Sequence, residues 1–553
     1  MIFKRQSGKI LSACLIFVFS TSSAVVNLRA HDVSRSKTAA TEDIEAHRKT
    51  DFGFTGFDQL NRQLQKDFND FDYAASTAAY RNSLRLAAAA ADSHLFGQWS
   101  PVISLPVVPI HVAILPNQRV LMWDSVGDLP TESYEVHDTT RAIVWNPADG
   151  TFVRRDVNTG FNIFCAGHAA LPNGKQFIAG GNLNSNLDGL NTMHTFDSTN
   201  SSWSMIGRMN EGGRWYPSVT ALANGEMLIT SGGPVTSEVY GTNGAVRSLT
   251  NAVLAMPLYP WLTAAPNGRA FYFGPDNTLG YMTTSGSGAW QYLGERDGFN
   301  RTYGSYAMYD AGKILATGGG DSTAHTVVIN INGTTPSVTR AGDLNTGRRQ
   351  HNLTVLPDGK VLATGGNYNG ESLVDVNAGV YTAELWDPAN GRWQPLSSMQ
   401  RTRQYHSTAA LLPDGRVLVG GGGICGACYN QNYLEKNFEI FSPPYLFKTD
   451  GSGGLATRPT ILSAPSTTTY RDQFNITTEV SKNVRQVVLI RPSSVTHSVN
   501  FEQRRIPLSF SANKNGIRVT APNSANSAPP GYYMLFIIDA QGVPSVAKMI
   551  KLG

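Results

Sequence analysis

The sequence predicts an all-β protein assembled from many short strands, and three observations indicate this fold class. Charged residues make up 16% of the chain, against about 25% in an average soluble protein, which argues against long solvated helices and coiled coils. Glycine contributes 54 of the 553 residues, more than the usual share of about 7%, which favours strands joined by tight turns. A short hydrophobic unit with a turn at its centre also recurs along much of the chain.

The recurring unit is an apolar strand, a Pro-Asn-Gly or Pro-Asp-Gly turn, and a second apolar strand that often ends in Gly-Gly. Clear copies are AALPNGKQFIAGG, LTVLPDGKVLATGG and AALLPDGRVLVGGGG. Seven copies occur, with turns at Asn117, Asn173, Asn224, Asn267, Ala311, Asp358 and Asp414. The Asn-Gly and Asp-Gly pairs suit two-residue hairpins, because both positions of such a turn need positive φ. Repeats about 43 to 56 residues apart with this strand ending are typical of kelch-type propeller blades.

The predicted architecture is therefore a seven-bladed kelch β-propeller over residues 96–446, in which stacked blades supply the core. Seven copies of one pattern argue against the alternative, a set of unrelated hairpins. After residue 456 the strands alternate without the Gly-Gly ending, which predicts a C-terminal immunoglobulin-like β-sandwich over residues 456–553. Before the propeller, residues 31–95 form a short helical N-terminal segment with one or two helices between Phe57 and Ala91, interpreted as a spacer or support.

The N-terminus carries the pattern of an export signal. The basic stretch MIFKRQSGK precedes the apolar run ILSACLIFVFS and a small-x-small site at Ser22 and Ala24, which predicts a secretory signal peptide over residues 1–24. The apolar run is shorter than the roughly 20 residues of a membrane span, so we expect a secreted, periplasmic or cell-surface protein without stable membrane insertion. The net charge is +4 without a dense Lys/Arg block, which argues against a nucleic-acid partner.

Four cysteines occur, and one of them, Cys14, lies in the signal peptide. An odd number then remains in an exported protein, which indicates one thiol with another role. Cys425 and Cys428 are close enough to pair with each other. A zinc site is the usual alternative for such a pair, but it needs further ligands that do not lie nearby in the sequence, so we interpret the pair as a small disulfide. Cys165 is then the odd residue.

Four short stretches place metal-competent residues in apolar or turn contexts: Cys165 in FNIFCAGH, Tyr216 in GRWYPS, Tyr405 and His406 in RTRQYHS, and His497 in SSVTHSVN. A single histidine after a strand is more often a hydrogen-bonded structural residue than a ligand, and a single tyrosine is more often core. However, Cys165, Tyr216 and His406 each lie nine residues before the glycine of a repeat turn. The pseudo-symmetry of a propeller brings equivalent positions of three blades to one place, so these residues form a candidate site.

The stretches FCAG, RWYPS, QYHS, DGRVLVGGGGICGAC and THSVNFEQRRIPL resemble the sequence blocks of the kelch-propeller copper-radical oxidases, the family of galactose oxidase and glyoxal oxidase. The resemblance extends from the first repeat to the C-terminus. It implies one copper ion held by Tyr216, Tyr405, His406 and His497, with Tyr405 as the axial ligand. It also implies a thioether between Cys165 and Tyr216, which makes a protein-derived radical cofactor.

The residue types suit the chemistry that this resemblance implies. Two imidazoles, phenolate oxygens and an open position make the tetragonal site that copper(II) prefers. Copper and a radical on Tyr216 would each accept one electron, and Tyr405 would take the hydroxyl proton as general base. Dioxygen would reoxidise the site and leave as hydrogen peroxide, so peroxidases that use hydrogen peroxide are candidate partners. No flavin or nicotinamide is needed.

Two departures from galactose oxidase bear on the substrate. The tryptophan that stacks on the thioether ring there is absent, since Pro234 and Val235 follow Gly-Gly here, and Trp215 and Trp261 are the alternatives that could replace it. Pro260 stands where galactose oxidase has an arginine for sugar hydroxyls. RWYP and LYP instead resemble the glyoxal oxidase branch. The resemblance therefore implies small aldehydes, as hydrates, or simple primary alcohols rather than galactose.

Two other functions compete with the oxidase. A catalytically silent kelch protein for surface binding or adhesion would keep the scaffold, but it would not need Cys165, Tyr216, Tyr405, His406 and His497 together. A zinc hydrolase that uses the two histidines would lack a carboxylate base and would leave the cysteine without a role. The joint presence of all five residues favours a secreted copper-dependent oxidoreductase.

Overall fold

The computed structural model describes residues 57–85, 91–124, 140–184, 188–513 and 516–553. The signal peptide predicted over residues 1–24 lies outside these residues, as does part of the predicted N-terminal segment. The few helices of the described residues are α1 (Phe57–Asn69), α2 (Tyr73–Arg85), α3 (Ser93–Phe96) and α4 (Gly426–Asn430), with 3-10 turns at Val376–Ala378, Pro444–Leu446 and Ser481–Asn483. None of these helices has the length and apolar character of a membrane span. All other regular structure is β, so the all-β prediction is confirmed.

Many small antiparallel sheets carry the sequence repeat. Two short strands come first, β1 (Gln98–Trp99) and β2 (Ile103–Ser104). The strands of the first three sheets are β3 (His111–Ile114), β4 (Val120–Trp123), β5 (Ala142–Trp145) and β6 (Phe152–Arg154); β7 (Gly167–Ala170), β8 (Gln176–Ala179), β9 (Thr192–Asp197) and β10 (Ser202–Arg208); and β11 (Ser218–Ala221), β12 (Met227–Thr230), β13 (Glu238–Tyr240) and β14 (Val246–Ser248).

Four further sheets follow the same plan, in which strands pair in chain order. Their strands are β15 (Trp261–Ala264), β16 (Ala270–Gly274), β17 (Thr278–Thr283) and β18 (Ala289–Glu295); β19 (Ser305–Asp310), β20 (Lys313–Thr317), β21 (Thr326–Asn330) and β22 (Ser337–Arg340); β23 (Asn352–Val355), β24 (Val361–Thr364), β25 (Thr382–Asp387) and β26 (Arg392–Ser398); and β27 (Ser407–Leu411), β28 (Val417–Gly421) and β29 (Asn437–Ser442). In the last sheet β1 and β2 pair with β29, so a segment from before the repeats completes the final sheet.

The first strands of neighbouring sheets contact one another. Strand β7 contacts β11, β11 contacts β15, β19 contacts β23, β23 contacts β27, and β27 returns to contact β3. The buried side chains of these strands, such as HVAI in β3 and STAAL in β27, lie between sheets on both faces. Such double burial explains why the first strands are nearly continuous apolar runs rather than alternating ones.

Each of the seven predicted turns joins the first strand of a sheet to the second. The turn at Ala311 has the expected length of two residues, with Asp310 paired to Lys313, but the other six turns differ from the expected hairpin. Around Gly174, the glycine N–H donates to the carbonyl of Leu171, and the Leu171 N–H donates to the carbonyl of Lys175. Gly174 has φ +88°, whereas Asn173 is not in the left-handed region. The loop is therefore a type I turn followed by one residue in the left-handed conformation, and glycine is favoured at that position.

The N-terminal helices cover the line where the first and last repeat sheets meet. Phe68 of α1 and Tyr80 of α2 are buried in one cluster with Trp145 of β5 and Phe438 of β29. The rings of Tyr80 and Trp145 meet edge to face with centroids 5.1 Å apart, and those of Trp145 and Phe438 are 4.9 Å apart. We call these four residues the helix-covered seam, since β5 belongs to the first sheet and β29 to the last.

The C-terminal residues form two sheets of their own and also extend the first repeat sheet. Their strands are β30 (Thr467–Thr468), β31 (Gln473–Thr477), β32 (Val484–Ile490), β33 (Ser494–Thr496), β34 (Val499–Asn500), β35 (Arg505–Leu508), β36 (Phe510–Asn513), β37 (Gly516–Thr520), β38 (Gly531–Asp539) and β39 (Lys548–Leu552). The hairpin β33–β34 leaves these sheets and pairs with β3. This hairpin places the residue after Thr496 beside the first repeat sheet.

Candidate metal centre

Three of the predicted site residues occupy the same local position in three different sheets. Cys165, Tyr216 and His406 lie shortly before the first strand of their sheets and adopt φ of +62°, +60° and +67°. A left-handed φ is uncommon for residues other than glycine and is retained where the surroundings enforce it, often at functional sites. All three side chains are buried. The structure therefore brings the predicted positions to equivalent, strained places.

The same position in three other sheets holds residues that our sequence analysis missed. Tyr259, Tyr303 and Gln350 adopt φ of +46°, +61° and +59°. Each also lies nine residues before a turn glycine, so the spacing that identified Cys165 could have found them. Tyr259 and Tyr303 line one cavity together with Tyr216.

The four residues predicted as metal ligands meet at short distances. The phenolic oxygens of Tyr216 and Tyr405 lie 2.7 Å apart, and the Nε2 of His497 lies 2.9 Å from the Tyr216 oxygen. The rings of His406 and His497 lie 4.4 Å apart at 80°, and Tyr405 stacks on His406 at 3.9 Å. Residues separated by up to 281 positions in the chain therefore converge on one buried place.

His497 reaches this place from the C-terminal region of the chain. It lies in the turn of the β33–β34 hairpin, with φ of +48° at His497 and +68° at Ser498. The carbonyl of Ser498 accepts a hydrogen bond of 2.8 Å from the hydroxyl of Ser305, which begins β19. Thr496, just before the turn, faces His111 in the register of β33 with β3. The turn is thus held from two sides by the repeat sheets.

The two imidazoles use their Nδ1 atoms for hydrogen bonds to neighbouring groups. The Nδ1 of His406 donates to the carbonyl of Gly423 over 2.6 Å, and the Nδ1 of His497 hydrogen-bonds with the hydroxyl of Thr496 over 2.6 Å. Such outer contacts set the ring orientation and point to Nε2 as the nitrogen that would bind a metal.

The donor set fits a copper ion. Two imidazole nitrogens and two phenolic oxygens form the nitrogen and oxygen environment that copper(II) prefers in tetragonal geometry. Adjacent ligands that bind one ion at about 2 Å stand about 2.8 Å apart, close to the 2.7 and 2.9 Å separations of the Tyr216 oxygen from its two neighbours. Among the described residues, no group of three or more His, Cys, Asp and Glu side chains could hold a metal; two of the four predicted ligands here are tyrosines.

Cys165 is held next to Tyr216 through its backbone. The Cys165 N–H donates to the Nε2 of His111 over 3.2 Å, and the Tyr216 N–H donates to the Cys165 carbonyl over 3.0 Å. Both side chains belong to one buried cluster that also contains Tyr259. Burial lowers the pKa of His111 well below its usual value, so its imidazole is neutral and can accept this bond. Burial, followed by the proximity of Cys165, raises the pKa of Tyr259 well above its usual value.

The ring of Tyr216 lies between two aromatic rings. Trp215 stacks on it at 3.9 Å and 12°, and Tyr259 stacks on it at 4.6 Å and 19°. Two rings cannot share one face of a phenol at these distances, so they cover opposite faces. Trp261 instead contacts Tyr306, at 5.2 Å. Of the two tryptophans left open by the sequence, Trp215 is therefore the one that stacks.

Buried ion pairs support the loops that carry the site. Arg214, two residues before Tyr216, pairs with Glu238 at 2.7 Å, and both side chains are fully buried. Arg403, two residues before Tyr405, pairs with Glu439 at 3.1 Å in the same way. Each guanidinium also donates to backbone carbonyls of the loop, including that of Ser231 for Arg214. These bonds satisfy carbonyls that the irregular loop backbone would otherwise leave buried without partners.

The predicted disulfide is present. Cys425 and Cys428 are bonded at the start of α4, and they pack in a small buried cluster with Tyr405 and Tyr433. The Tyr433 hydroxyl accepts the N–H of Gln404 over 2.6 Å. The disulfide therefore lies beside the loop that carries Tyr405 and His406.

Comparison with known proteins agrees with this geometry. Residues 321–445 match the family described as "Glyoxal oxidase N-terminus", and residues 458–552 match "Galactose oxidase-like, Early set domain". A galactose oxidase of Gibberella zeae is 34% identical over 501 residues, which cover 82% of this chain and 70% of that protein. The chain belongs to the copper-radical oxidase family of galactose oxidase and glyoxal oxidase.

Two further relatives represent other members of the family. "Aldehyde oxidase GLOX" of Vitis pseudoreticulata is 28% identical over 537 residues, which cover 84% of this chain and 99% of that protein. A solved structure described as a novel fungal alcohol oxidase of the AA5 family, in complex with copper, superposes with a TM-score of 0.75 at 30% identity. The superposition covers 82% of this chain and 99% of that chain.

Proposed function

We propose that the protein is a secreted copper-radical oxidase that converts small aldehydes, as hydrates, or simple primary alcohols to acids or aldehydes. Dioxygen is the electron acceptor and hydrogen peroxide the second product. The observation that carries the proposal is the meeting of His406, His497, Tyr216 and Tyr405 within hydrogen-bond and ring-contact distance. The nitrogen and oxygen donors of these four residues would hold the copper ion.

In this proposal each residue of the site has a separate role in a two-electron oxidation. Copper, when bound, supplies a one-electron acceptor and a positive charge that favours the deprotonated phenol. Tyr216, joined to Cys165 by a thioether, holds the radical that accepts the second electron. The Tyr405 oxygen, 2.7 Å from that of Tyr216, takes the substrate hydroxyl proton. The Tyr216 oxygen takes a hydrogen atom from the substrate carbon, and dioxygen then receives both electrons and both protons.

The same proposal includes the finer architecture. The seven repeat sheets would close into a seven-bladed kelch propeller, with the C-terminal sheets as an immunoglobulin-like sandwich. The contact of β27 with β3 supports ring closure. The pairing of β33 with β3 supports an arm from the sandwich that delivers His497 to the axis.

The cavity beside Tyr216 supports small, uncharged substrates. It measures about 40 Å³, room for only a few heavy atoms, and its lining includes Leu258, Tyr259, Trp261 and Tyr303. Apart from His497, no titratable side chain other than tyrosine lines it in the part of the chain that the structure describes, and Pro260 follows Tyr259 in the chain. An apolar, aromatic lining stabilises a small hydrocarbon part better than the hydroxyl-rich face of a sugar.

Loading with copper(II) in air, followed by peroxide detection, tests the proposal. Methylglyoxal, glyoxal, glycolaldehyde and simple primary alcohols should yield more hydrogen peroxide than galactose. In the same sample, denaturing mass analysis should find the peptides of Cys165 and Tyr216 joined, and C165S should abolish the joined peptide. Separate peptides and no peroxide with any substrate would instead leave a binding scaffold without catalysis.

Export and partners form the last part of the proposal. Expression of the full chain should yield a mature protein outside the cytoplasm that begins after residue 24, as N-terminal sequencing can show. Because the reaction releases hydrogen peroxide, peroxidases that consume it are the expected functional partners. An intact N-terminus on cytoplasmic protein would contradict the predicted export.

A further inference from the structure

His111 occupies a buried position between the two parts of the chain that build the site. It begins β3, whose other residues are apolar, and it is fully buried. In the register of the sheet it faces Thr496, which precedes His497. On its other side, its Nε2 accepts the N–H of Cys165 over 3.2 Å. His111 therefore connects the two parts, since its backbone pairs with the arm of His497 and its side chain accepts from the loop of Cys165.

The Cys165 backbone is in a conformation that needs outside support. Its φ of +62° is unfavourable for a residue with a side chain. Two hydrogen bonds hold the peptide groups on either side, the first from the Cys165 N–H to His111 and the second from the Tyr216 N–H to the Cys165 carbonyl. Loss of the first bond would leave a buried N–H without a partner and would release one half of this support.

The imidazole itself is held in a fixed orientation. Its ring stacks on Trp123 of the neighbouring strand at 4.7 Å and 3°. Within the described residues, the Nδ1 of His111 has no hydrogen-bond partner, so the only hydrogen bond found for this ring is that to Cys165. Burying a polar ring with only one hydrogen bond in an apolar strand costs stability. A histidine at this position therefore points to a role for that hydrogen bond.

We propose that His111 is a positioning residue for formation of the Cys165–Tyr216 thioether, holding Cys165 so that its sulfur faces the Tyr216 ring. The inference rests on the proposed function. The reaction joins the Cys165 sulfur to a ring carbon of Tyr216 and breaks the S–H bond and one ring C–H bond. Dioxygen accepts the two hydrogen atoms as hydrogen peroxide, so atoms and electrons balance. His111 forms no bond in this reaction and acts only through the Cys165 backbone.

The test follows crosslinking directly rather than activity. The full chain is prepared without copper, copper(II) and air are added, and the joined peptide, lighter by two hydrogens, is quantified by mass spectrometry over time. We expect H111F, which keeps a ring against Trp123 but has no acceptor, to slow crosslinking by about tenfold or more. We expect H111Q, whose Oε1 reaches the position of Nε2, to remain within about threefold of the parent.

Two controls separate this role from general destabilisation. H194F places the same ring at a buried histidine of β9 and should crosslink at the parental rate. H111N carries the same amide as H111Q but is one methylene shorter, so it should be slow even if H111F does not fold. Crosslinking of H111F and H111N at the parental rate would overturn the inference while the proposed function stands. Absence of crosslinking in the parent would overturn both.

Discussion

The candidate metal centre and the helix-covered seam are both buried, but residues of opposite character build them. At the metal centre, Cys165, Tyr216 and His406 are polar or reactive and take left-handed backbone conformations. At the seam, Tyr80 and Trp145 pack edge to face within regular helix and strand. The difference indicates that the seam contributes packing free energy, whereas the centre costs stability and depends on the surrounding hydrogen bonds and ion pairs.

The largest expected effect is at the metal centre, for H497A. The change removes one of the two predicted imidazole ligands, and even outer-shell partners of a metal are worth about 10- to 100-fold in affinity. Copper affinity, measured by isothermal titration, should therefore fall by more than about 100-fold. The free energy of unfolding of the metal-free protein should change by no more than about 2 kcal/mol. H194A serves as a control, and parental copper affinity in H497A would remove His497 from the site.

The next effect tests whether buried ion pairs support the strained centre. R214M leaves Glu238 charged and buried without its partner, which costs about 3–5 kcal/mol. Chemical denaturation should show this loss, and R392M, at an exposed arginine of β26, should stay within about 0.5 kcal/mol of the parent. A loss below about 1 kcal/mol in R214M would mean that the loop does not depend on the pair.

A buried histidine away from both regions tests how burial changes the pH dependence of stability. Burial, and then the charge of Arg208, lowers the pKa of His194 to about 4; Phe161 is its ring neighbour, at 5.6 Å. The unfolded chain binds a proton at this histidine near pH 6.5. The contribution of the neutral His194 to the free energy of unfolding is therefore fully present above that pH and is lost as the pH falls towards 4. H194L should remove roughly 3 kcal/mol of this pH dependence. Equal pH profiles of unfolding would contradict the assignment.

The sequence predicts part of the candidate metal centre. The nine-residue offset places Cys165, Tyr216 and His406 together because repeated sheets put equivalent positions at equivalent places. The same offset marks Tyr259, but its LYP motif indicated only a branch of the family and no role for the tyrosine itself. His497 has no repeat position, since it comes from a hairpin of the C-terminal region; the stretch SSVTHSVN marked it as metal-competent, and only the family resemblance joined it to the other residues.

The remaining features depend on tertiary packing that local patterns do not encode. Trp215 and Trp261 were equivalent alternatives in the sequence, because chain separation does not determine which ring faces Tyr216. The helix-covered seam could not be predicted from the sequence either. The apolar residues of α1 and α2 predict a buried face, but not the sheets against which that face packs.

A smaller effect sharpens the comparison at the Tyr216 ring. In the proposed function this ring carries a radical, and Trp215 covers one of its faces at 3.9 Å. Aromatic stacking is worth about 0.5–1.5 kcal/mol, so W215A should shorten the lifetime of the radical absorbance by up to about tenfold. W261A, which changes a tryptophan that does not stack on Tyr216, should leave that lifetime near the parental value. A shorter radical lifetime in W261A than in W215A would mean that Trp261, and not Trp215, protects the Tyr216 ring.

The smallest effect is expected for Y80F, at the helix-covered seam. The hydroxyl of Tyr80 donates to the carbonyl of Pro147 over 2.7 Å and accepts from Arg416 over 3.0 Å. Y80F keeps the ring against Trp145 and removes only these bonds, so it should cost about 1 kcal/mol of unfolding free energy. Y80A, which also removes the packed ring, should cost about 3–5 kcal/mol. Crosslinking should stay at the parental rate in Y80F, because the seam supports the fold without touching the centre; a slower rate would show that the two regions are coupled.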